Sequence, residues 1–295
     1  MSTIDAHVHL YPEEVNRSPA AWAAARGETH WATLCTRRRK DGRPVQTFPA
    51  VAELLREMDR AGVARVVLLG WYWEKPATCA VQNRFYAECV RAHPDRLAAF
   101  ATLHPAVGRE ATLTEMKRAR NEGLVGLGEL SPHSQGYSMD DAVFREVLSL
   151  AGEWRIPVNL HVTDPESCAF PGRIETPLAD FSRLAREFPR TTFILAHWGG
   201  LLPLRDPSVL ALPNVFYDTA ASPLLYDAGV WSRFLAVVPA ERILFGSDFP
   251  LNLFPKLDAT PDMLRFVTEA KNADAPEAVM RGNAARLLAP PVEHP

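Results

Sequence analysis

Short runs of Val, Ile, Leu and Phe alternate along this chain with longer stretches in which apolar residues recur every three or four positions. The runs lie at 64–69, 97–103, 124–129, 157–161, 192–197, 215–218 and 242–247, after a first one around Ile4 and Ala6. Each is short enough for a strand, and the stretches between have a different period. In 50–61, Val51, Leu54, Leu55 and Met58 fall at i, i+3, i+4 and i+7, one face of a helix, and Gly62 supplies a stop. The same reading predicts helices over 78–92, 109–121, 140–154, 177–188 and 224–237, with two more over 261–271 and 275–288. For 177–188, Thr176 suits the N-cap and Pro177 the first helical position, where a missing N–H costs nothing. Eight strand–helix units whose strands are apolar on both faces predict an α/β fold in which a parallel sheet closes into a (β/α)8 barrel, rather than an open doubly wound sheet.

One segment breaks the rhythm. Residues 11–48 carry Pro12, Pro19, Gly27, Gly42 and Pro44 with no sustained period, and read as a long loop excursion after strand 1 with some helix near 20–26. Loops of that length are usually lids or disordered. At 295 residues the chain is close to the roughly 250 residues common for such barrels. It reads as one domain over 1–295, with the proline-rich 289–295 as a frayed tail.

Composition narrows the partners. The apolar fraction of 47% supports a sizeable core, and a net charge of −3 gives no global attraction to nucleic acid or to an anionic membrane. A small-molecule partner is the expectation. The basic run Arg37-Arg38-Arg39-Lys40 reads as a solvated face, or as a lid presenting Arg to a substrate carboxylate; one short run makes no nucleic-acid footprint. Four scattered cysteines, Cys35, Cys79, Cys89 and Cys168, form no C-x-x-C pair and fit reduced thiols. Removal of an N-terminal leader would delete His7 and His9, and no apolar run approaches the ~20 residues that span a bilayer. The expected location is the cytoplasm.

The candidate chemistry lies where the strands end. His7 and His9, Glu129, His161, His197 and Asp248 each stand at the end of a predicted strand or just after it, which points to one metal centre at one end of a parallel sheet. In Asp5-x-His7-x-His9 the period of two puts all three side chains on one side, so the two imidazoles can share a metal with Asp5 one step deeper, supporting them. His161 and His197 taken singly are as compatible with hydrogen-bonded barrel residues as with ligands. Asp248, within Gly246-Ser247-Asp248-Phe249-Pro250, can bind a metal and accept a proton, or can cap a turn. Glu129 can bridge two metals, face substrate, or pair with an arginine.

These residues carry a resemblance. The stretches Ile4-Asp5-Ala6-His7-Val8-His9, Gly126-Leu127-Gly128-Glu129, His161, and Ala196-His197-Trp198-Gly199-Gly200 belong to it. So do Arg242-Ile243-Leu244-Phe245-Gly246-Ser247-Asp248-Phe249-Pro250 and Gly282-Asn283-Ala284-Ala285-Arg286-Leu287-Leu288. Over nearly its whole length the chain resembles the amidohydrolase superfamily, and most closely its amidohydrolase 2, or metal-dependent TIM-barrel hydrolase, branch. The resemblance implies that His7, His9, His161 and Asp248 hold a divalent metal, usually Zn2+ and sometimes Mn2+. It implies that His197 binds a second metal or polarises the substrate. Two-metal relatives bridge their ions from the end of strand 4, where Glu129 stands as in the TatD-like deoxyribonucleases; many decarboxylase-like relatives use one metal. The branch also implies a homodimer.

A metal lowers the pKa of bound water from about 15.7 toward about 7. Asp248 is then expected to take the proton and pass it to the leaving group, with His197 or a second metal stabilising the oxyanion. Trp71, Trp73, His104, His133, Tyr137 and Trp198 lie in loops at or near the active end of a barrel and are candidate substrate contacts, each equally compatible with loop packing. The leading expectation is a metal-dependent hydrolase of an amide or lactone. A decarboxylase or hydratase of an unsaturated dicarboxylic acid is the alternative, then a TatD-like phosphodiesterase, and outside enzymes a ligand-binding barrel.

Overall fold

A computed structural model describes residues 2–253 and 262–288; the expected frayed tail at 289–295 and the start of the helix expected at 261 lie outside the described residues. Eight parallel strands follow one another around a single sheet in sequence order. They are β1 (Thr3–Val8), β2 (Val63–Leu68), β3 (Leu97–Ala101), β4 (Gly126–Leu130), β5 (Val158–Leu160), β6 (Phe193–Leu195), β7 (Val215–Asp218) and β8 (Ile243–Leu244). Backbone bonds close the ring between the last strand and the first: Ala6 N–H donates to Phe245 O and Asp248 N–H to His7 O, both at 2.8 Å. The fold is the TIM barrel.

Period-two alternation builds its two layers. Val66 and Leu68 of β2 pack outward, in one cluster with Leu54, Met58, Tyr86 and Met116 of the surrounding helices. Val67 belongs to a second cluster with Phe100, Ile194 and Leu244, which fills the barrel. Gly126 is glycine for a steric reason: a Cβ there would sit 2.6 Å from Phe100 Cε1.

The helices expected at 50–61 and 109–121 are found at Val51–Ala61 and Arg109–Asn121. The first buries Leu54, Met58 and Ala61 and ends on Gly62 in the left-handed conformation. Two expectations need correction. In the helix Leu178–Glu187, Pro177 is itself the N-cap, and Thr176 Oγ1 instead accepts from Thr163 N–H at 2.8 Å. The helix expected over 224–237 is two helices, Ser222–Leu225 and Gly229–Leu235.

The excursion is built, not featureless. It carries helices Glu13–Arg17, Pro19–Arg26 and Thr29–Cys35 and has an aromatic core of its own, with Tyr11, Trp31, Trp71, Tyr72 and Trp73 packed on Leu251 and Leu253. Arg37 is not aimed at a ligand. Its guanidinium donates to the carbonyls of Leu34, Asn252 and Leu253 at 3.0–3.1 Å, pinning the excursion to the segment after β8. All four cysteines are free thiols, and among the described residues no helix is long and apolar enough to cross a membrane.

Candidate metal centre

The strand ends bring six side chains together. Glu129 Oε2 lies 3.8 Å from His7 Nε2 and 3.7 Å from His9 Nε2. Its other oxygen, Oε1, lies 2.7 Å from His161 Nδ1 and 3.4 Å from His197 Nε2. Asp248 Oδ1 is 3.4 Å from His9 Nε2 and 3.7 Å from His7 Nε2, and its Oδ2 is 3.7 Å from His197 Nδ1. Two ligand groups capable of holding an ion result, His7–His9–Glu129 and Glu129–His161–His197, sharing the one carboxylate.

The outer ring nitrogens fix the tautomers. His7 Nδ1 meets Asp218 Oδ2 at 3.0 Å, His9 Nδ1 meets Leu69 O at 2.9 Å and His197 Nδ1 meets Ala220 O at 3.2 Å. Each partner is only an acceptor, so each Nδ1 carries the proton and, in the neutral ring, Nε2 carries a lone pair. The Nε2 atoms of His7 and His9 face each other at 3.2 Å. Two lone pairs at that distance repel, so the pair needs a shared cation, either a proton on one Nε2 or a metal ion within reach of both. Asp248 has the same need: both of its oxygens are buried without a hydrogen-bond donor. These groups therefore fit a bound divalent cation.

The electrostatics agree. Burial alone would depress His7, but Asp218, then Asp248 and Glu129, raise its pKa to about 10: with no other cation at its Nε2 the ring would carry a proton there, the positive charge that a metal ion would take over. Burial would raise Glu129, yet His161, His197 and His7 hold its carboxyl well below the usual range. Three buried carboxylates draw positive charge to one point. Asp5 lies one step down as expected, its Oδ1 accepting from His7 N–H at 3.1 Å and Ser247 N–H at 3.0 Å, and burial raises its pKa to about 7.

His197 reaches its place through an unusual backbone. Residues His197–Leu201 run in left-handed conformation, with φ between 57° and 58°. Glycine takes this conformation freely, but His197, Trp198 and Leu201 each bear roughly 1–2 kcal/mol of steric strain. Packing offsets it. Trp198 is fully buried against Trp231 at 4.8 Å and Phe234 at 4.9 Å; Trp198 is therefore an anchor of the turn and not a substrate contact.

Asp218, at the end of β7, was not singled out from the sequence. Its Oδ2 holds His7 Nδ1 and accepts from Asn159 Nδ2 at 2.9 Å, while Oδ1 accepts from His197 N–H at 3.1 Å and Ala220 N–H at 3.0 Å. Four donors on one fully buried carboxylate tie β1, β5 and β6 together behind the centre. The strand-end position that flagged Asp248 also marks Asp218.

A cleft of about 550 Å³, open solvent included, leads to Glu129, His161, His197 and Asp248. Of the six candidate substrate contacts, Trp71 lines it; Trp73, His104, His133, Tyr137 and Trp198 do not. The reason in each remaining case is local packing. Trp73 lies in the aromatic core with its Nε1–H on Gln82 Oε1 at 2.6 Å. His104 caps a short helix through Ala106 N–H and donates to Gln135 O. His133 pairs with Asp180 at 3.1 Å, and Tyr137 packs on His104 and Phe144. Tyr72, an aromatic of the same loop as Trp71 and as legible from its position after strand 2, also lines the cleft; Phe170, Leu251 and, from the excursion, His30 complete it, and no sequence pattern distinguished these three.

A family model described as Amidohydrolase matches residues 4–289. No curated protein matches the chain. Among solved structures, a 5-carboxyvanillate decarboxylase from Sphingomonas paucimobilis has a TM-score of 0.69 at 19% identity, over 97% of this chain and 98% of that one. A provisionally assigned 2-pyrone-4,6-dicarboxylic acid hydrolase from Pseudomonas putida has 0.64 at 19%, over 99% of each. A dihydroxybenzoic acid decarboxylase from Polaromonas, with bound manganese and the inhibitor 2-nitroresorcinol, has 0.65 at 18%, over 97% of this chain and 96% of that one. At these identities the likeness is one of fold.

Proposed function

The chain belongs to the amidohydrolase family, and on that premise we propose that it is a metal-dependent hydrolase cleaving a C–N or C–O bond in a small carbonyl compound such as an amide or a lactone. His7, His9 and Asp248 would hold one divalent ion and His161 and His197 a second, with Glu129 bridging them. The observation that supports this most is the division of the Glu129 carboxylate, one oxygen toward each histidine pair. Zinc suits the nitrogen-rich set; manganese, bound in the Polaromonas decarboxylase, is the alternative.

A bound divalent ion supplies Lewis acidity, polarising the carbonyl and bringing the pKa of water from about 15.7 toward about 7. The protein supplies the proton route and the orientation. Asp248, whose oxygens have no donor, takes a proton from the attacking water at Oδ1 or Oδ2 and returns it to the leaving nitrogen or oxygen. Asp218 holds the His7 ring and the Ala220 carbonyl holds the His197 ring, so neither has to reorganise during the reaction. Tyr72, Phe170 and Leu251 give the cleft an apolar wall, and a substrate seated against it would displace water from the centre and strengthen each of these interactions.

The test is metal content in wild type and Glu129→Ala, with turnover on lactones, amides and unsaturated diacids with and without chelator. About two equivalents falling toward one, with chelator-sensitive hydrolysis, is the expected result for a bridged pair of ions. About one equivalent, unchanged by the substitution, with release of carbon dioxide from an acid, would replace this reading by a one-metal decarboxylase. That second reading draws on the decarboxylases among the solved structures, an analogy of fold alone.

A further inference from the structure

Trp71 and Tyr72 follow β2 and line the cleft beside the candidate centre. Their rings stack at 4.5 Å and 27°. Trp71 meets His9 edge-on at 5.1 Å, while Tyr72 tilts against His161 at 4.9 Å and His30 at 5.6 Å. The pair thus touches one imidazole from each half of the centre. Its backbone is fixed from behind: Trp71 N–H donates to Gln82 Oε1 and Trp71 O accepts from Thr102 Oγ1, both at 2.7 Å.

Both residues are at least 97% buried, yet neither uses its polar edge. The Trp71 indole N–H is buried without an acceptor, and the Tyr72 hydroxyl makes no hydrogen bond to any described residue. Trp73 in the same cluster is satisfied by Gln82; Tyr11 and Trp31 also keep a buried polar atom without a partner, but they do not line the cleft, whereas Trp71 and Tyr72 do. An unused buried donor is costly. The Trp71 N–H is such a donor; the Tyr72 hydroxyl, also unused, belongs to the same wall of the cleft, and together they are arranged for an acceptor that arrives with a ligand.

We propose that Tyr72 is a catalytic residue of this site, its hydroxyl donating a hydrogen bond to the carbonyl or carboxylate oxygen of the substrate, with the Trp71 indole N–H as a second donor beside it. The proposal rests on the reading that this cleft takes a small carbonyl compound. A phenol keeps its proton at neutral pH, its ordinary pKa being about 10, so the donor is present throughout the working range. Held by its neighbours before substrate arrives, it needs no reorganisation as charge develops on that oxygen.

Tyr72→Phe keeps the ring stack and removes only the hydroxyl. Fluorobenzoate and fluorobenzene, titrated into the metal-loaded protein by fluorine NMR, separate the oxygen contact from the ring contact. The expected result is a loss of about tenfold in fluorobenzoate affinity, unchanged fluorobenzene affinity and unchanged metal content. Unchanged fluorobenzoate affinity, an equal loss for both ligands, or no binding of fluorobenzoate to wild type at millimolar concentration would each overturn the assignment. Wild type that binds fluorobenzoate through Tyr72 but hydrolyses no amide or lactone would leave the donor standing and remove the hydrolase reading. Hydrolysis with an unaltered Tyr72→Phe variant would do the reverse.

Discussion

Asp218→Asn is the sharpest perturbation of the centre that leaves every candidate ligand in place. Asp218 Oδ1 accepts two backbone N–H groups, from His197 and Ala220, whereas Oδ2 accepts from two side chains, His7 Nδ1 and Asn159 Nδ2. The asparagine carbonyl will turn toward the two fixed backbone donors, and its NH2 will face the side chains. Asn159 can adapt, because its own Oδ1 has no partner and a flip of the amide presents it to the new NH2. His7 cannot adapt without cost. Facing a donor, its Nδ1 must give up its proton, the proton moves to Nε2, and the lone pair aimed at the centre is lost. Loss of such an orienting partner costs about 10–100-fold in metal affinity, or about 1.4–2.8 kcal/mol. The assay is metal retention against a graded chelator, with circular dichroism of the metal-free protein to establish that the fold survives. Affinity equal to wild type would refute the argument that Asp218 sets the His7 tautomer. A variant that fails to fold is separated by Asp218→Glu, which keeps the acceptor and should recover part of the affinity.

Three further outcomes are expected. Asp248→Asn should keep the fold and lower kcat by orders of magnitude, because an amide cannot take the proton assigned to this carboxylate; near-normal turnover in steady-state kinetics would remove that role. Gly199→Ala would place a Cβ 2.7 Å from Tyr217 Cδ1 at a φ of +57°, so a loss of roughly 2–4 kcal/mol is expected from the clash and the backbone strain together. Denaturant unfolding measures it, and stability equal to wild type would contradict the left-handed turn. Burial lowers the pKa of His104 below its ordinary 6.5. As pH falls below 6.5 the unfolded chain therefore takes up this proton before the folded one does, so stability decreases until the folded pKa is passed and then levels. The wild-type minus His104→Gln difference in Tm against pH should fall over that window, and a flat difference would show that His104 is not desolvated.

Much of this protein was legible in one dimension. Alternating strand and helix periods required eight β/α units, and apolar strands such as Phe193–Leu195 had to be covered on both faces, which a closed barrel achieves. The barrel in turn gathers every strand end at one rim, so His7, His9, Glu129, His161, His197 and Asp248 had to meet if those strands formed. That inference needed only the order of residues and the geometry of a parallel sheet. Side-chain neighbours were another matter. Trp73, Trp198 and Tyr137 share with Trp71 a loop position and an aromatic ring, and nothing local distinguishes the one that lines the cleft from the three that pack a core. His30 arrives from an aperiodic excursion whose helices rest on contacts with residues more than 200 positions away, such as Arg37 with Leu253. The tautomers of His7, His9 and His197 depend on Asp218, Leu69 and Ala220, all of them remote in sequence. Periodicity is a property of consecutive residues and so survives in the sequence. Which lone pair faces the centre, and which donor is left without an acceptor, is decided by contacts between distant segments and exists only once the chain has closed.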